Sequence, residues 1–248
     1  MLSIFFLVVM SLLAGVLTGI IGMASLTLYP VLLAIGVPAI SANATITVAQ
    51  VSAGVGTVLS SLKELRGQWW TAIKIAGLNA SGGILGAWLL TKSSSTSFQG
   101  MVPWFILMAG ILLLWPHSKV EASYRQSRLL IYFNLVILFL VGTYNGYFGA
   151  ASGLLMIAVL SRIINNEYII YNAMRNFAAF INNIVASIIF IIQLPIDWSV
   201  MLPLISGLFI GGYIGPIILR FIPAKVIKIT VGWVAIILAI YLGYKAYF

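Results

Sequence analysis

The sequence predicts an all-α polytopic membrane protein built from two inverted repeats of about five apolar segments each, the first two of each repeat forming a broken or re-entrant hairpin. Three observations lead there. Hydrophobic residues make up 62% of the 248 and charged residues only 7%, so apolar runs long enough to cross a bilayer fill the chain and little polar surface is left for a soluble domain. The second half repeats the first: Trp69 is answered by Trp198, Trp104 by Trp233 and Asn43-Ala44 by Asn172-Ala173, all at an offset of 129. Gly82, Gly83 and Gly86 return as Gly211, Gly212 and Gly215 at the same offset. The loop cations, finally, alternate between the halves in a way that places equivalent loops on opposite sides of the membrane.

In chain order the first repeat (1–115) divides into apolar segments at about 2–18, 24–36, 41–62, 70–91 and 101–115. A linker, 116–128, carries Lys119, Arg125 and Arg128, and the second repeat (129–248) gives segments at about 129–145, 150–161, 169–192, 198–219 and 226–247. Met1 to Ser11 carry no charged side chain, so the first run is read as a membrane segment and not as a cleaved signal with a basic start. The third and fourth segments of each half are long enough to span ~30 Å as helices; the second, at roughly 12 residues and ~20 Å, is not. A glycine break precedes it in each half, as Gly19-Ile-Ile-Gly22-Met-Ala-Ser25 and Gly146-Tyr-Phe-Gly149-Ala-Ala-Ser152.

Loop charge sets the topology. Lys63 and Arg66 follow segment three of the first half, whereas the equivalent loop, 193–197, holds Asp197 and no cation. The next loop reverses this, with only Lys92 in 92–100 against Arg220, Lys225 and Lys228 in 220–228. If each half crosses an odd number of times, these cations, Arg162 and the three of the linker share one face, which the positive-inside bias makes cytoplasmic, with Lys92 and Phe248 outside. The competing arrangement merges each hairpin into one bent helix, giving eight spans and parallel halves, and scatters the same cations over both faces. The formal charge of +9 is thereby a matter of orientation, and nucleic acid is not an expected partner.

The polar residues concentrate at the breaks and in the third segments. At the breaks, Gly22 and Gly149 open short helices whose free N–H groups and positive dipole ends point into the protein, flanked by Ala24 and Ala151, with hydroxyls of Ser25 and Ser152 in the first turn. Two such ends related by an internal axis form a cradle for an anion. The plainer reading of the glycines is close helix packing. In the third segments stand Asn43 and Gln50, then Asn172, Arg175 and Asn176. Arg175 lies about two turns inside its segment with no acidic residue near it in sequence; its fork matches two oxyanion oxygens, or else it snorkels to the headgroups. Lys74, beside Trp69 and Trp70, reads as an interfacial anchor.

The four acidic residues, Glu64, Glu121, Glu167 and Asp197, lie in loops or at segment ends, as does His117, so no intramembrane proton relay is visible. No P-loop, GxSxG or HExxH motif occurs and there is no cysteine, which excludes ATP-driven transport by this chain alone, acyl transfer and thiolate metal sites. No cofactor is expected.

The opening stretches Gly15-Val-Leu-Thr18-Gly19-Ile-Ile-Gly22 and Gly142-Thr-Tyr-Asn145-Gly146-Tyr-Phe-Gly149, each followed by an Asn-containing helix and a Gly-Gly-x-x-Gly helix, resemble the TauE/SafE sulfite exporter family of membrane permeases over nearly the whole chain. Asn145 stands where the first copy has Thr18. The resemblance implies a secondary transporter, and specifically an exporter, of small sulfur-containing anions such as sulfite or organosulfonates, in the cytoplasmic membrane; the residues alone reach only a small anion. The other class left open is a non-transporting accessory protein or intramembrane enzyme in which the glycines serve packing alone. A homodimer is the assembly leaned to, since small carriers often pair.

Overall fold

The computed structural model describes residues 2–114, 128–164, 167–221 and 224–247, so linker residues 116–127, with Lys119 and Arg125, and Phe248 lie outside the described residues, as do the side chains of Arg128, Arg162, Lys225 and Lys228. Every regular element among the described residues is helical. The first half holds α1 (Leu2–Ile21), α2 (Ala24–Ala34), α3 (Ala39–Ser60), a single turn α4 (Leu62–Leu65), α5 (Trp69–Lys92) and α6 (Ser95–Leu114). The second holds α7 (Arg128–Tyr147), α8 (Ser152–Ile163), α9 (Tyr168–Gln193), α10 (Met201–Leu219), preceded by a 3-10 turn at Trp198–Val200, and α11 (Ala224–Tyr247). Among the described residues, five helices are long and apolar enough to cross a membrane: Ile4–Ile21, Ala39–Ser60, Trp69–Lys92, Tyr168–Gln193 and Trp198–Leu219. The short α2 and α8, 11 and 12 residues long, supply only ~17 Å of helix each.

Glycine ends both first helices by the same chemistry. Gly22 (φ +77°) and Gly149 (φ +75°) take the left-handed conformation that side chains resist, and each donates its N–H back across the last turn, to Leu17 O and Tyr144 O at 3.0 Å. Orphan carbonyls of the helix end are satisfied this way. The short helices therefore begin two or three residues after these glycines, at Ala24 and Ser152, and not at the glycines themselves as the sequence suggested.

Small residues decide which helices touch. Along α1 and α10 a Cβ on Gly15 would lie 2.7 Å from Leu208 O, and one on Gly19 would lie 2.9 Å from Gly215 Cα. Along α5 and α7 the same holds for Gly82, Gly86, Gly142 and Gly146, each of which faces backbone of the other helix. Backbone-to-backbone packing of this kind replaces the hydrophobic driving force that lipid removes. The fourth apolar segment of each half thus packs on the first helix of the other half: α10 on α1 and α5 on α7. Each also lies along the other half's third helix, α10 on α3 through Ser52 Oγ to Ile205 O at 3.1 Å, and α5 on α9 through Asn182 Nδ2 to Asn79 O at 2.8 Å. In all four pairs residue numbers rise together, so the partners run parallel.

The two pairs of equivalent helices behave differently. Along α3 and α9, Gly54 meets Phe180, Gln50 meets Asn183 and Thr47 meets Ser187; one number rises as the other falls, and the helices run antiparallel. So do α6 and α11, where Gly110 lies against Gly232 and Gly243 against Pro103. The ends of the molecule follow from this. Arg220, after α10, pairs with Glu64 at 2.8 Å and caps Ser60 O at 2.8 Å beyond the end of α3. Asp197, after α9, donates its N–H to Thr45 at the beginning of α3.

Candidate functional site

The two breaks meet in the middle of the bundle. A Cβ on Gly22 would lie 3.0 Å from Gly153 Cα and would run into Arg175 Nη1, and one on Gly153 would lie 2.6 Å from Ile21 O. Only glycine on both sides lets the turn after α1 rest on the first turn of α8. Neither short helix has a side-chain cap at its N-terminus, so the two serines are spent elsewhere. Ser25 Oγ accepts from Gln50 Nε2 at 3.1 Å, and Ser152 Oγ donates to Asn145 Oδ1 at 2.5 Å. Asn183 Nδ2 reaches Gln50 Oε1 and Asn145 Nδ2 reaches Asn183 Oδ1, both at 3.4 Å. The chain Ser25–Gln50–Asn183–Asn145–Ser152 thereby joins the start of α2 to the start of α8 across the centres of α3 and α9. Ala151, in the turn, holds φ +60° without being glycine, a strained conformation of the kind that functional turns retain.

Arg175 is 1% exposed and is the largest fully buried side chain among the described residues. It does not snorkel. Its Nη1 donates to Thr18 O at 2.9 Å, its Nη2 to Gly19 O at 3.4 Å and to Asn172 Oδ1, while Nε has no partner. Asn172 and Asn176 add bonds to Gly19 O at 2.8 and 3.3 Å. A guanidinium and two amides thus close the carbonyl end of α1, where a cation is electrostatically favoured. Because both Nη2 hydrogens are committed, a planar fork that needs Nη2 is not free; the buried charge, the Nε–H and the second Nη1–H remain.

A cavity of about 20 Å³ lies between these groups, bordered by Thr18, Gly22, Gln50, Asn145, Gly149, Ser152, Arg175 and Asn176, all anticipated from sequence. Ser25 and Asn172 stand one bond behind it; Ala24 and Ala151 flank the turns. Asn43 lies apart, its Nδ2 bonded to Tyr147 O at 3.0 Å. The cavity's walls also include Gly54, Thr57, Gly153, Phe180 and Asn183. Asn183 carries a signal the sequence offered, an amide in a long apolar helix, whereas Gly54, Gly153 and Phe180 had none, because only the crossing of α3, α8 and α9 brings them in. About 20 Å³ holds roughly one water, so this conformation is closed to anything larger. A larger cavity, about 300 Å³, opens near Tyr29, Val37, Gln99, Pro103 and Leu242. Its described walls hold no cation, so an oxyanion among them would lose hydration without replacement, and the smaller cavity is the candidate.

Residues 7–242 match the family described as Sulfite exporter TauE/SafE. The chain is 26% identical to the probable membrane transporter protein ORF9 of Sinorhizobium sp over 236 residues, 95% of this chain and 90% of that one. It is 24% identical to a probable membrane transporter protein of Haemophilus influenzae, covering 82% of this chain and 79% of that one. No solved structure matches. With the family match running from α1 into α11, the chain belongs to the TauE/SafE family, a multi-pass membrane transporter and not an enzyme.

Proposed function

We propose that the protein is a secondary transporter that exports small sulfur-containing anions, such as sulfite or organosulfonates, across the cytoplasmic membrane. The observation that carries the reading is the meeting of two glycine-broken, uncapped helix starts beside one buried guanidinium. Helix starts and an unshared arginine charge favour an anion, and the amides and hydroxyls around them offer neutral donors to its oxygens. Sulfur chemistry rests on the family description alone.

The halves are proposed to be inverted with respect to the membrane. Support comes from the antiparallel crossing of α3 with α9 and from the Arg220–Glu64 pair, which sets the loop after α3 at the same end as the loop after α10. That end would be cytoplasmic, with Lys63, Arg66 and Arg220 on it. Alternating access then requires α3 and α9 to part at the Gln50–Asn183 contact. The deciding experiment is sulfite flux into liposomes holding the purified chain: saturable uptake sustains the reading, and flux equal to that of empty liposomes removes it.

A further inference from the structure

We propose that a sodium ion binds at the carbonyl end of α7, coordinated by Asn43 Oδ1 and the carbonyls of Asn145 and Gly146, at the position related by the repeat to the Arg175 guanidinium. In the first half the carbonyls of Thr18 and Gly19 and Asn172 Oδ1 converge on one cation, the Arg175 side chain. Their counterparts, at the offsets of 127 for the breaks and 129 for the third helices, are the carbonyls of Asn145 and Gly146 and Asn43 Oδ1. The residue equivalent to Arg175 is Ile46, which brings no charge.

The acceptors nonetheless remain. Asn43 is 1% exposed and its Oδ1 accepts no hydrogen bond. An amide flip does not relieve it, because Nδ2 is held by Tyr147 O at 3.0 Å and exchange would set oxygen against oxygen. Gly149 N–H bonds back to Tyr144 O, so among the described residues no donor reaches Asn145 O or Gly146 O. The Nδ2 bond to Tyr147 O holds this amide at the carbonyl end of a 20-residue helix, so a buried, unpartnered oxygen and a negative helix end lie together with no positive charge among the described residues beside them, a costly arrangement in apolar surroundings. Carbonyl and amide oxygens suit a hard cation, and the absence of a carboxylate from the set favours a monovalent ion over calcium or magnesium. Half-helix carbonyl ends serve as sodium ligands in carriers built from repeats.

Asn145 belongs to both sites: its side chain borders the central cavity and its carbonyl faces the ion. Sodium occupancy would fix the turn from which α8 starts. Its role as coupling ion rests on the anion-transport reading, whereas the binding itself does not.

The test uses the purified full chain without sulfite. Thermal unfolding is followed in choline chloride with sodium chloride substituted at constant ionic strength, alongside equilibrium binding of radiolabelled sodium. Wild type should show a saturable rise in unfolding temperature with sodium. Asn43→Ala should raise the half-saturating sodium concentration about tenfold or more, the scale on which a metal's surroundings act. Ile46→Arg, which supplies a tethered cation, should be insensitive to sodium, and it decides the matter if Asn43→Ala does not fold. Identical unfolding in sodium and choline, an equal effect of potassium, or an unchanged sodium response in Asn43→Ala would each overturn the site. Sodium binding together with sodium-independent sulfite flux would overturn the coupling alone.

Discussion

Replacing Arg175 with Gln separates its two roles. The guanidinium makes bonds to Thr18 O, Gly19 O and Asn172 Oδ1. After the change Thr18 O keeps the Gly22 N–H at 3.0 Å, and Gly19 O keeps Asn172 and Asn176. Asn172 Oδ1 keeps nothing. The stability cost is therefore that of about one orphaned buried acceptor, ~1 to 3 kcal/mol, offset in part because a buried charge has also gone. The anion loses the one full positive charge bordering the cavity, and its affinity should fall by ~1.5 to 3 kcal/mol, or roughly ten- to a hundredfold. Arg175→Lys should recover only part, since a single ammonium cannot hold three acceptors around α1 in the planar geometry. Sulfite flux against concentration in liposomes, at matched amounts of folded protein, gives the half-saturation values, and thermal unfolding without sulfite gives the stability. A stability loss with unchanged half-saturation and maximal rate would show that the arginine caps α1 and does nothing for the anion, and the binding reading would then lose the only buried cation among the described residues.

The remaining predictions concern packing, topology and opening. Gly86→Ala should prevent stable assembly, because the new methyl runs into the Thr143 carbonyl on α7, whereas Gly77→Ala, with nothing within 4 Å in the same helix, should be neutral or stabilising by ~0.5 to 1 kcal/mol; detergent thermal unfolding reads both. On this cysteine-free chain, single cysteines at 63, 128 and 225 should resist an impermeant thiol reagent in intact cells and those at 92 and 248 should react; labelling at 225 from outside would remove the inverted arrangement. Cysteines at 50 and 183, whose native side chains touch at 3.4 Å, should block flux when cross-linked and release it on reduction, and full flux through the cross-linked protein would show that α3 and α9 need not part.

Much of the fold was legible because membranes restrict the vocabulary. Uninterrupted apolar runs have one solution, the helix, and the segments at 24–36, 41–62 and 70–91 became Ala24–Ala34, Ala39–Ser60 and Trp69–Lys92. Where composition gave no contrast the boundaries slipped: α6 begins at Ser95, within the serine-rich stretch read as loop, because Ser94 takes the cap through Ser97 N–H at 3.1 Å. The glycine pattern was legible as repetition but not as contact. Gly82 and Gly86 match Gly211 and Gly215 in sequence, yet they pack α5 on α7 and α10 on α1, across the halves, and no periodicity within one segment encodes the partner chosen by another.

The site divides along the same line. The breaks, Asn145, Gln50 and Arg175 could be named because a polar residue or a glycine in an apolar run is expensive and so informative. What each side chain holds could not be named, since that depends on the crossing of α3 and α9. Arg175 offered two sequence readings, an oxyanion fork and a headgroup anchor. The fold gives it a third task, closing the carbonyl end of α1, that neither reading contained. The same fold shows why the repeat mattered more than any single motif. It sets Asn43 beside the end of α7, on Tyr147 O, much as it sets Asn172 beside the end of α1, on Gly19 O, and among its departures from symmetry stands Ile46 against Arg175. One helix end is thereby given a permanent cation while its counterpart keeps its oxygens free, and it is this difference, invisible in either half alone, that gives a nearly symmetric scaffold two chemically distinct ends around one central cavity.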